Sequence, residues 1–203
     1  INFDGPDSGP VRQYAIDNAR TWVRDFHVDG LRLDAVHAIF DLGPRHILAD
    51  IKSAVRREAA RAGRAVHVIA ESDLNDVRLI RPADRGGYGL DAVWSDDFHH
   101  AVHALLTGER DGYYLDFGTP AQVAKALRGA FVFDGCYSPF RRRRHGARTG
   151  TIDRTRFVVC IQNHDQVGNR ALGERLSGLV SPAARRLACG LLMLSPCVPL
   201  LFM

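Results

Sequence analysis

The sequence predicts an α/β fold built around a parallel sheet. Its candidate strands are short, continuous apolar runs, which is typical of strands that are buried on both faces. Stretches with the apolar spacing of amphipathic helices separate these runs, as in repeated βα units. The composition, 46% hydrophobic and 25% charged over 203 residues, is that of a globular protein with a sizeable core and excludes a disordered chain.

The first half of the chain contains three helices and three strands. The first helix spans residues 10–26 and has Ser8 near its start. Strands are expected at residues 28–36, 65–72 and 90–95, and helices follow the first and third of them. The apolar positions that define the three helices are Val11, Ala15, Ala19, Trp22, Val23 and Phe26, then Ile47, Leu48, Ile51 and Val55, then Phe98, Val102, Leu105 and Leu106.

The second half adds two helices and two strands. Helices are predicted over residues 119–131 and 181–192, each opened by a Thr-Pro or Ser-Pro pair. Strands are predicted at residues 156–163 and in the terminal apolar run, 197–203. These five strands match the last part of a closed eight-stranded barrel, which takes about 250 residues. A doubly wound open sheet is the competing topology.

Charge and cysteine usage limit the partners and the compartment. Twenty-seven Lys and Arg against 23 Asp and Glu give a net charge of +4, and no run of 18 apolar residues is present, so neither nucleic acid nor a membrane is an expected partner. The four cysteines form no CxxC pair, which favours reduced thiols and a cytoplasmic protein. The opening residues show no initiator Met and no leader pattern, and nothing follows the terminal apolar run to cover it. We therefore expect a chain that is truncated at both ends.

Three of the predicted strands end in a carboxylate. Asp34 closes the string VDGLRLD of the first strand, Glu71 closes the string VHVIAE of the second, and Asp165 follows the string VVCIQNH. In parallel α/β folds the reactive groups gather at the carboxyl ends of the strands. Each acid alone is explained equally well as a cap of the next helix or turn. Burying a carboxylate beside an apolar run is unfavourable, however, unless it is paired or hydrogen-bonded. Three acids in such positions are therefore expected to have charged or hydrogen-bonding partners, or a function.

The neighbours of two of these acids indicate a division of roles. Arg32 and Asp34 lie two residues apart, so both side chains point to the same face of an extended strand. The arginine favours an ionised Asp34, which suits a nucleophile. Glu71 follows apolar residues 68–70, a setting that favours a bound proton and suits a general acid. Retaining glycosidases use such a pair about 5 to 5.5 Å apart, and neighbouring strands, about 4.8 Å apart, can supply that separation.

Three strings around the acids resemble the signature regions of a known family. They are DGLRLDAVH at 29–37, VIAES at 68–72 and QNHDQVGN at 162–169, and together they resemble the α-amylase superfamily of retaining α-glycoside hydrolases. Longer strings, among them GYGLDAVWSDDFHHAVHALLTGERDGYY and YSPFRRRRHG, resemble one branch, the maltooligosyltrehalose trehalohydrolases. The resemblance covers nearly the whole chain. It implies hydrolysis of the α-1,4 bond that joins trehalose to a malto-oligosaccharide, with release of trehalose; a general α-1,4-glucan hydrolase is the alternative.

The resemblance also implies a fold class, namely α/β, the C-terminal part of a (β/α)8 TIM barrel truncated at both ends. Residues 1–203 would form a partial catalytic (β/α) barrel domain with about strands 4 to 8. The upstream β-domain and the first strands would be absent. A partial barrel leaves sheet edges unpaired, so this chain by itself is expected to be poorly stable and inactive.

Carried over residue by residue, the resemblance implies that Asp34 is the nucleophile, Glu71 the acid and then the base, and Asp165 the acid that holds sugar hydroxyls and stabilises the transition state. Amylases usually carry Lys-His shortly after the nucleophile, whereas this sequence has Val36-His37-Ala38, a departure that agrees with the trehalose-releasing branch. No metal and no cofactor is expected. The residues expected to bind the oligosaccharide substrate are Arg32, which also orients Asp34, His37, Asp96, Asp97, Phe98, His99, His100, His164, Gln166, Gly168 and Asn169.

Other interpretations of the sequence stay open. His99 and His103, spaced i, i+4 on a predicted helix, suit a metal-dependent barrel hydrolase, although no HxH pair ends a strand. A core or helix-surface position is the plainer interpretation and the one favoured for His103.

The run Arg141–Arg144 suits a phosphate or nucleic-acid patch, but a solvated loop explains it better. A non-catalytic carbohydrate-binding protein that kept the fold is the third alternative. Core packing is the expected role of Trp94.

Overall fold

The computed structural model describes residues 1–202 and divides into two compact units. Unit 1 contains residues 1–72 and 76–93, and unit 2 contains residues 73–75 and those from 94 onward. Met203, the last residue of the predicted terminal strand, lies outside the described residues. Each helix within residues 1–202 is too short or too polar to cross a membrane.

Unit 1 alternates helices with parallel strands in the predicted order. β1 pairs with β2 from Gly30–His67 to Leu33–Ala70, and β2 pairs with β3 at Ile69–Ala92 and Ala70–Val93. Because these pairings are all parallel, the strands of unit 1 end at the same edge of the sheet. The elements are α1 (Gly9–Arg24), β1 (Gly30–Leu33), α2 (Ile47–Arg61), β2 (His67–Ala70) and β3 (Ala92–Trp94), whose last residue belongs to unit 2.

Packing of α1 against α2 forms much of the core of unit 1. The predicted apolar face of α2 is buried, with Ile47, Leu48 and Val55 fully inaccessible. The predicted face of α1 is buried only in part. Trp22 is 43% exposed, and Phe26, which lies beyond the end of the helix, is 62% exposed.

Unit 2 contains the remaining helices, a parallel strand pair and a hairpin. β6 and β7 pair in parallel from Val158–Val198 to Cys160–Leu200. The helix start predicted at Thr119-Pro120 is confirmed, and Thr119 caps α4 in a capping box with Gln122. Trp94 is buried as predicted. The elements are α3 (Asp96–Thr107), α4 (Pro120–Gly129), β4 (Asp134–Ser138), β5 (Arg143–Gly146), β6 (Phe157–Cys160), α5 (His164–Gly168), α6 (Leu176–Leu179), α7 (Pro182–Met193) and β7 (Val198–Leu200).

The predicted solvated loop at Arg141–Arg144 is confirmed in part: Arg142–Arg144 are exposed and the run begins in a turn, but Arg143 and Arg144 belong to β5 of a hairpin with β4. The two strands pair antiparallel at Tyr137–Arg144 and Ser138–Arg143. Asp116 holds the tip of the hairpin, because its carboxylate accepts hydrogen bonds from the Ser138 hydroxyl and, at 2.9 Å, from the Phe140 N–H. The five predicted strands are present as β1, β2, β3, β6 and β7, and they are not closed into a barrel within residues 1–202.

Candidate active site

Asp34 and Glu71 stand at the carboxyl ends of adjacent strands. The last register pair of β1 and β2 is Leu33–Ala70, and each acid is the next residue on its strand. The backbone continues the ladder past this pair, since Glu71 N–H donates to Leu33 O at 2.9 Å and Val36 N–H donates to Glu71 O at 3.0 Å. The two predicted catalytic acids of unit 1 are therefore neighbours.

The guanidinium of Arg32 contacts both acids. Its Nη1 donates to Asp34 Oδ1 at 2.8 Å, and its Nη2 lies 3.8 Å from Glu71 Oε2. The Asp34 side chain is 75% exposed, whereas that of Glu71 is 14% exposed. One acid thus faces solvent and the other is set back in the site, with the same cation between them.

Glu71 also accepts a hydrogen bond of 2.6 Å from the backbone N–H of Ala35 to its Oε2. Ala35 has a φ of 44°, in the left-handed region that a residue with a Cβ adopts at a cost. The immediate surroundings of the carboxylate are therefore polar, with an N–H donor and a guanidinium. This differs from the apolar setting expected from residues 68–70, because Val68 and Ala70 pack in the core while Glu71 is the first residue past the end of β2.

The loop after Asp34 is fixed by a second carboxylate, Asp41. It accepts hydrogen bonds from Arg12 Nη1 and Ile47 N–H at 2.6 Å and from Gly43 N–H at 2.9 Å. Burial acts to raise the pKa of Asp41, but these donors hold it below its ordinary value. His37 is exposed on this loop, in the 3-10 turn at Val36–Ala38.

In unit 2, Asp165 lies in the first turn of the short helix α5. Asn163 caps this helix, since its Oδ1 accepts from Asp165 N–H at 2.8 Å and the Gln166 side chain accepts from Asn163 N–H at 2.7 Å. His164 Nε2 is 3.5 Å from Asp165 Oδ1, and both side chains are about half exposed. Asn163 was not predicted as a site residue, although the spacing Asn-x-x-Gln of a capping box was readable in the sequence.

A cavity of about 500 Å³ opens beside α5. Gln166 and Asn169, two predicted substrate contacts, line it together with Tyr113, Glu109 and Arg170. Arg170 bonds to both oxygens of Glu109 at 2.8 and 3.0 Å. The cavity wall therefore combines an aromatic ring with amides and charged groups, which are suited to binding a polyhydroxylated ligand.

The predicted substrate contacts at the start of α3 lie inside unit 2. Phe98 is 1% exposed, so its ring offers no face to a sugar, and Asp97, His99 and His100 are also buried. The prediction placed these side chains on the rim because they follow a strand. The structure turns them inward because the stretch from Asp97 to Ala104 forms the buried part of the helix. Asp96 is partly exposed.

Hydrogen bonds within the protein engage both ring nitrogens of His99 and the Nε2 of His103, the two histidines proposed as metal ligands. His99 bonds through Nδ1 to the Ile161 carbonyl and through Nε2 to the Tyr114 hydroxyl at 2.8 Å. His103 Nε2 bonds to Glu109 at 2.8 Å, and its ring stacks on Tyr114. Burial lowers the pKa of His99 to about 3 and also lowers the pKa of His103. His103 is a core residue, as favoured from the sequence. Within residues 1–202, His, Cys, Asp and Glu form no group of three that could hold a metal.

Comparison with known proteins finds relatives that match the chain over its whole length. No family model matches it. It is 52% identical over its whole length to a malto-oligosyltrehalose trehalohydrolase of Saccharolobus solfataricus, of which it covers 35%. It is 50% identical over its whole length to a malto-oligosyltrehalose trehalohydrolase of Arthrobacter ramosus, of which it covers 36%. The chain therefore spans about a third of the length of these relatives.

A solved structure shares the fold. The whole chain superposes with a TM-score of 0.89 and 37% identity on a crystal structure of a protein from Salmonella typhimurium assigned as an α-amylase, of which it covers 34%. This match identifies the parallel α/β architecture as part of an α-amylase fold and rules out the doubly wound sheet.

Proposed function

We propose, from the premise that this chain belongs to the malto-oligosyltrehalose trehalohydrolases of the α-amylase family, that the whole protein is a retaining α-glycosidase. Its substrate would be maltooligosyltrehalose, and it would hydrolyse the α-1,4 bond between the trehalose end and the malto-oligosaccharide, with release of trehalose. The two relatives that align with the whole of this chain are both named malto-oligosyltrehalose trehalohydrolase. The cytoplasmic location expected from the cysteines stays a prediction.

The observation that carries the proposal is the position of Arg32 between Asp34 and Glu71. Double displacement needs an ionised nucleophile close to an acid that gives a proton and later takes one back. Arg32, 2.8 Å from Asp34 and 3.8 Å from Glu71, orients Asp34 and places a positive charge near both carboxyls. Asp34 is the more exposed of the two acids, which suits attack on a sugar that enters from solvent.

In the proposed first step, an oxygen of Asp34 forms a bond to C1 of the glucose unit next to trehalose. The bond from C1 to the leaving oxygen breaks, and Glu71 gives its proton to that oxygen, so that trehalose departs with a free hydroxyl. Because Oε2 of Glu71 already accepts the Ala35 N–H, we assign the proton transfer to Oε1.

In the second step, Glu71 takes a proton from water while the water oxygen attacks C1 and Asp34 leaves. The glucan is released with its original anomeric configuration. Asp165 would hold sugar hydroxyls and stabilise the positive charge that develops at C1, and His164 would donate a hydrogen bond to the same sugar. The cavity beside α5, with Gln166 and Asn169, would accept further substrate atoms.

The test compares maltooligosyltrehalose with a plain malto-oligosaccharide of equal length in the full-length protein. Trehalose released from the first substrate and little cleavage of the second are expected. Comparable cleavage of both would instead assign a general α-1,4-glucan hydrolase. Asp34→Asn should abolish turnover, and Asp29→Asn, at an exposed acid in the same strand segment, is the matched control. At least a tenth of wild-type turnover in Asp34→Asn would refute the nucleophile.

A further inference from the structure

The carboxylate of Asp97 is buried in unit 2 and accepts three hydrogen bonds on one oxygen. Its Oδ2 accepts from the backbone N–H groups of Val132 at 2.7 Å and Phe133 at 2.8 Å, and from Asn75 Nδ2 at 2.8 Å. Burial raises the pKa of Asp97, while the three donors act in the opposite direction. Asp97 therefore links the start of α3 to Asn75 and to residues 132–133. Without its carboxylate, buried N–H groups would lose a hydrogen-bond acceptor.

Asn75 is held by more than this one bond. It is 3% exposed, has a φ of 54°, and donates from Nδ2 to the Phe133 carbonyl at 3.1 Å. Its own carbonyl accepts the Ala147 N–H at 3.1 Å. A Cβ at Gly146 would come within 3.0 Å of the Asn75 Cβ and 1.9 Å of the Phe133 carbonyl oxygen, so this position needs glycine. The conformation of Asn75 is thus fixed by its side chain, its backbone and close packing.

The segment Asp73–Asn75 belongs to unit 2, although the residues on either side of it belong to unit 1. Its first residue is anchored as well, since Arg141 Nη2 bonds to Asp73 Oδ2 at 3.0 Å. In the sequence the segment begins two residues after Glu71. A segment tied at both of its ends restricts the strand end from which it continues.

We propose that Asp97 is a positioning residue for the acid Glu71 and acts through Asn75. The inference rests on the proposed function, in which Glu71 protonates the leaving oxygen. Asp97 does not touch the sugar; it fixes the backbone that leaves β2, and so fixes the direction in which the Glu71 carboxyl meets the scissile bond. Such alignment matters because a misplacement of about 1 Å can cost on the order of 100-fold in rate.

The test uses the chemistry of the leaving group. Departure of trehalose needs a proton from Glu71, whereas fluoride leaves α-maltosyl fluoride without one. In the full-length enzyme, Asn75→Gly keeps the backbone conformation accessible and removes the side-chain bonds. We expect its single-turnover rate on maltooligosyltrehalose to fall about tenfold or more, with KM changed less than about twofold. First-turnover fluoride release from α-maltosyl fluoride should change less than about threefold. Asp97→Asn should show the same pattern.

Two further variants calibrate this result. Arg142→Gly replaces another residue with a φ of 54°, exposed at the hairpin tip, and should leave both rates unchanged. Glu71→Gln should show the largest difference between the two substrates. Equal losses on both substrates in Asn75→Gly, or no loss on either, would overturn the positioning role. Equal losses in Glu71→Gln would instead overturn the proposed acid, and with it this inference.

Discussion

The backbone N–H of Ala35 donates a hydrogen bond of 2.6 Å to Oε2 of Glu71. The donor directly follows Asp34, and the acceptor belongs to the next strand, so the turn after one acid is held by the side chain of the other. Together with Arg32, this bond leaves the two carboxyls little freedom to move apart. A mechanism with a covalent sugar intermediate needs the nucleophile and the acid to be held at a fixed distance on either side of the scissile glycosidic bond.

Replacing Arg32 tests the cation between the acids. A lysine at this position keeps a positive charge but cannot bond in two directions with a fixed planar geometry. We expect Arg32→Lys to lower kcat/KM in the full-length enzyme by about 10- to 100-fold. Arg24→Lys, which alters an exposed pair with Asp25, is the control. Steady-state kinetics with less than about a threefold loss in Arg32→Lys would argue against a role in orienting Asp34.

Replacing Ala35 tests the backbone of the turn. Its φ of 44° is accessible to glycine without the clash that a Cβ creates. Ala35→Gly should raise the free energy of unfolding by about 0.5–1 kcal/mol while the N–H bond to Glu71 is kept. Ala35→Val should lower it by at least about 1 kcal/mol, because a β-branched residue fits this region poorly. Urea unfolding measures both changes; equal stability of the two variants would contradict the explanation.

The pair of Glu109 and Arg170 predicts a pH-dependent contribution to stability. The hydrogen bond from Arg170 lowers the pKa of Glu109 to about 2. A carboxyl whose pKa is lower in the folded state stabilises the fold above its ordinary value near 4.5, and loses this contribution as the pH falls toward 2. Arg170→Gln should therefore cost about 1–2 kcal/mol at pH 7 and less at about pH 3.5. Urea titrations at both pH values should show this convergence; a constant difference would refute it.

Buried His99 predicts a loss of stability in mild acid. Burial lowers its pKa to about 3, so below pH 6.5 the unfolded chain takes up a proton that the folded chain does not. The free energy of unfolding should fall with decreasing pH between 6.5 and 3, by up to about 1.4 kcal/mol per pH unit for this one residue. Between pH 7 and pH 5, wild type should lose about 2 kcal/mol more than His99→Gln. Parallel stability curves for the two proteins would contradict this assignment.

The strands and the two acids of unit 1 could be predicted from the sequence because they depend on the pattern of neighbouring residues. Continuous apolar runs mark buried parallel strands, and the acids that end two of them must be neighbours once those strands pair. Arg32 and Asp34 fall on one face for the same reason, since alternation along a strand needs no tertiary information.

The hairpin and the burial of α3 were not readable from local patterns. The residues of β4 and β5 are mostly polar, and their tip is held by Asp116, more than 20 residues earlier. Asp97 resembles a helix-start acid on an exposed rim, and only its distant donors, Asn75, Val132 and Phe133, identify it as buried. The polar setting of Glu71 was missed for the same reason, because Ala35 lies 36 residues away.

The pairing of β1 with β2 also sets the order in which the site is completed during synthesis. Gly30 pairs with His67, so β1 leaves the ribosome 37 residues before its partner strand, and Ala35 is synthesised 36 residues before its acceptor Glu71. Until then β1 is an unpaired, largely apolar edge, of the kind that associates with other chains. The arrangement that brings the two acids together in the finished protein therefore leaves Asp34 without Glu71 beside it until the intervening chain, which includes α2, has been synthesised.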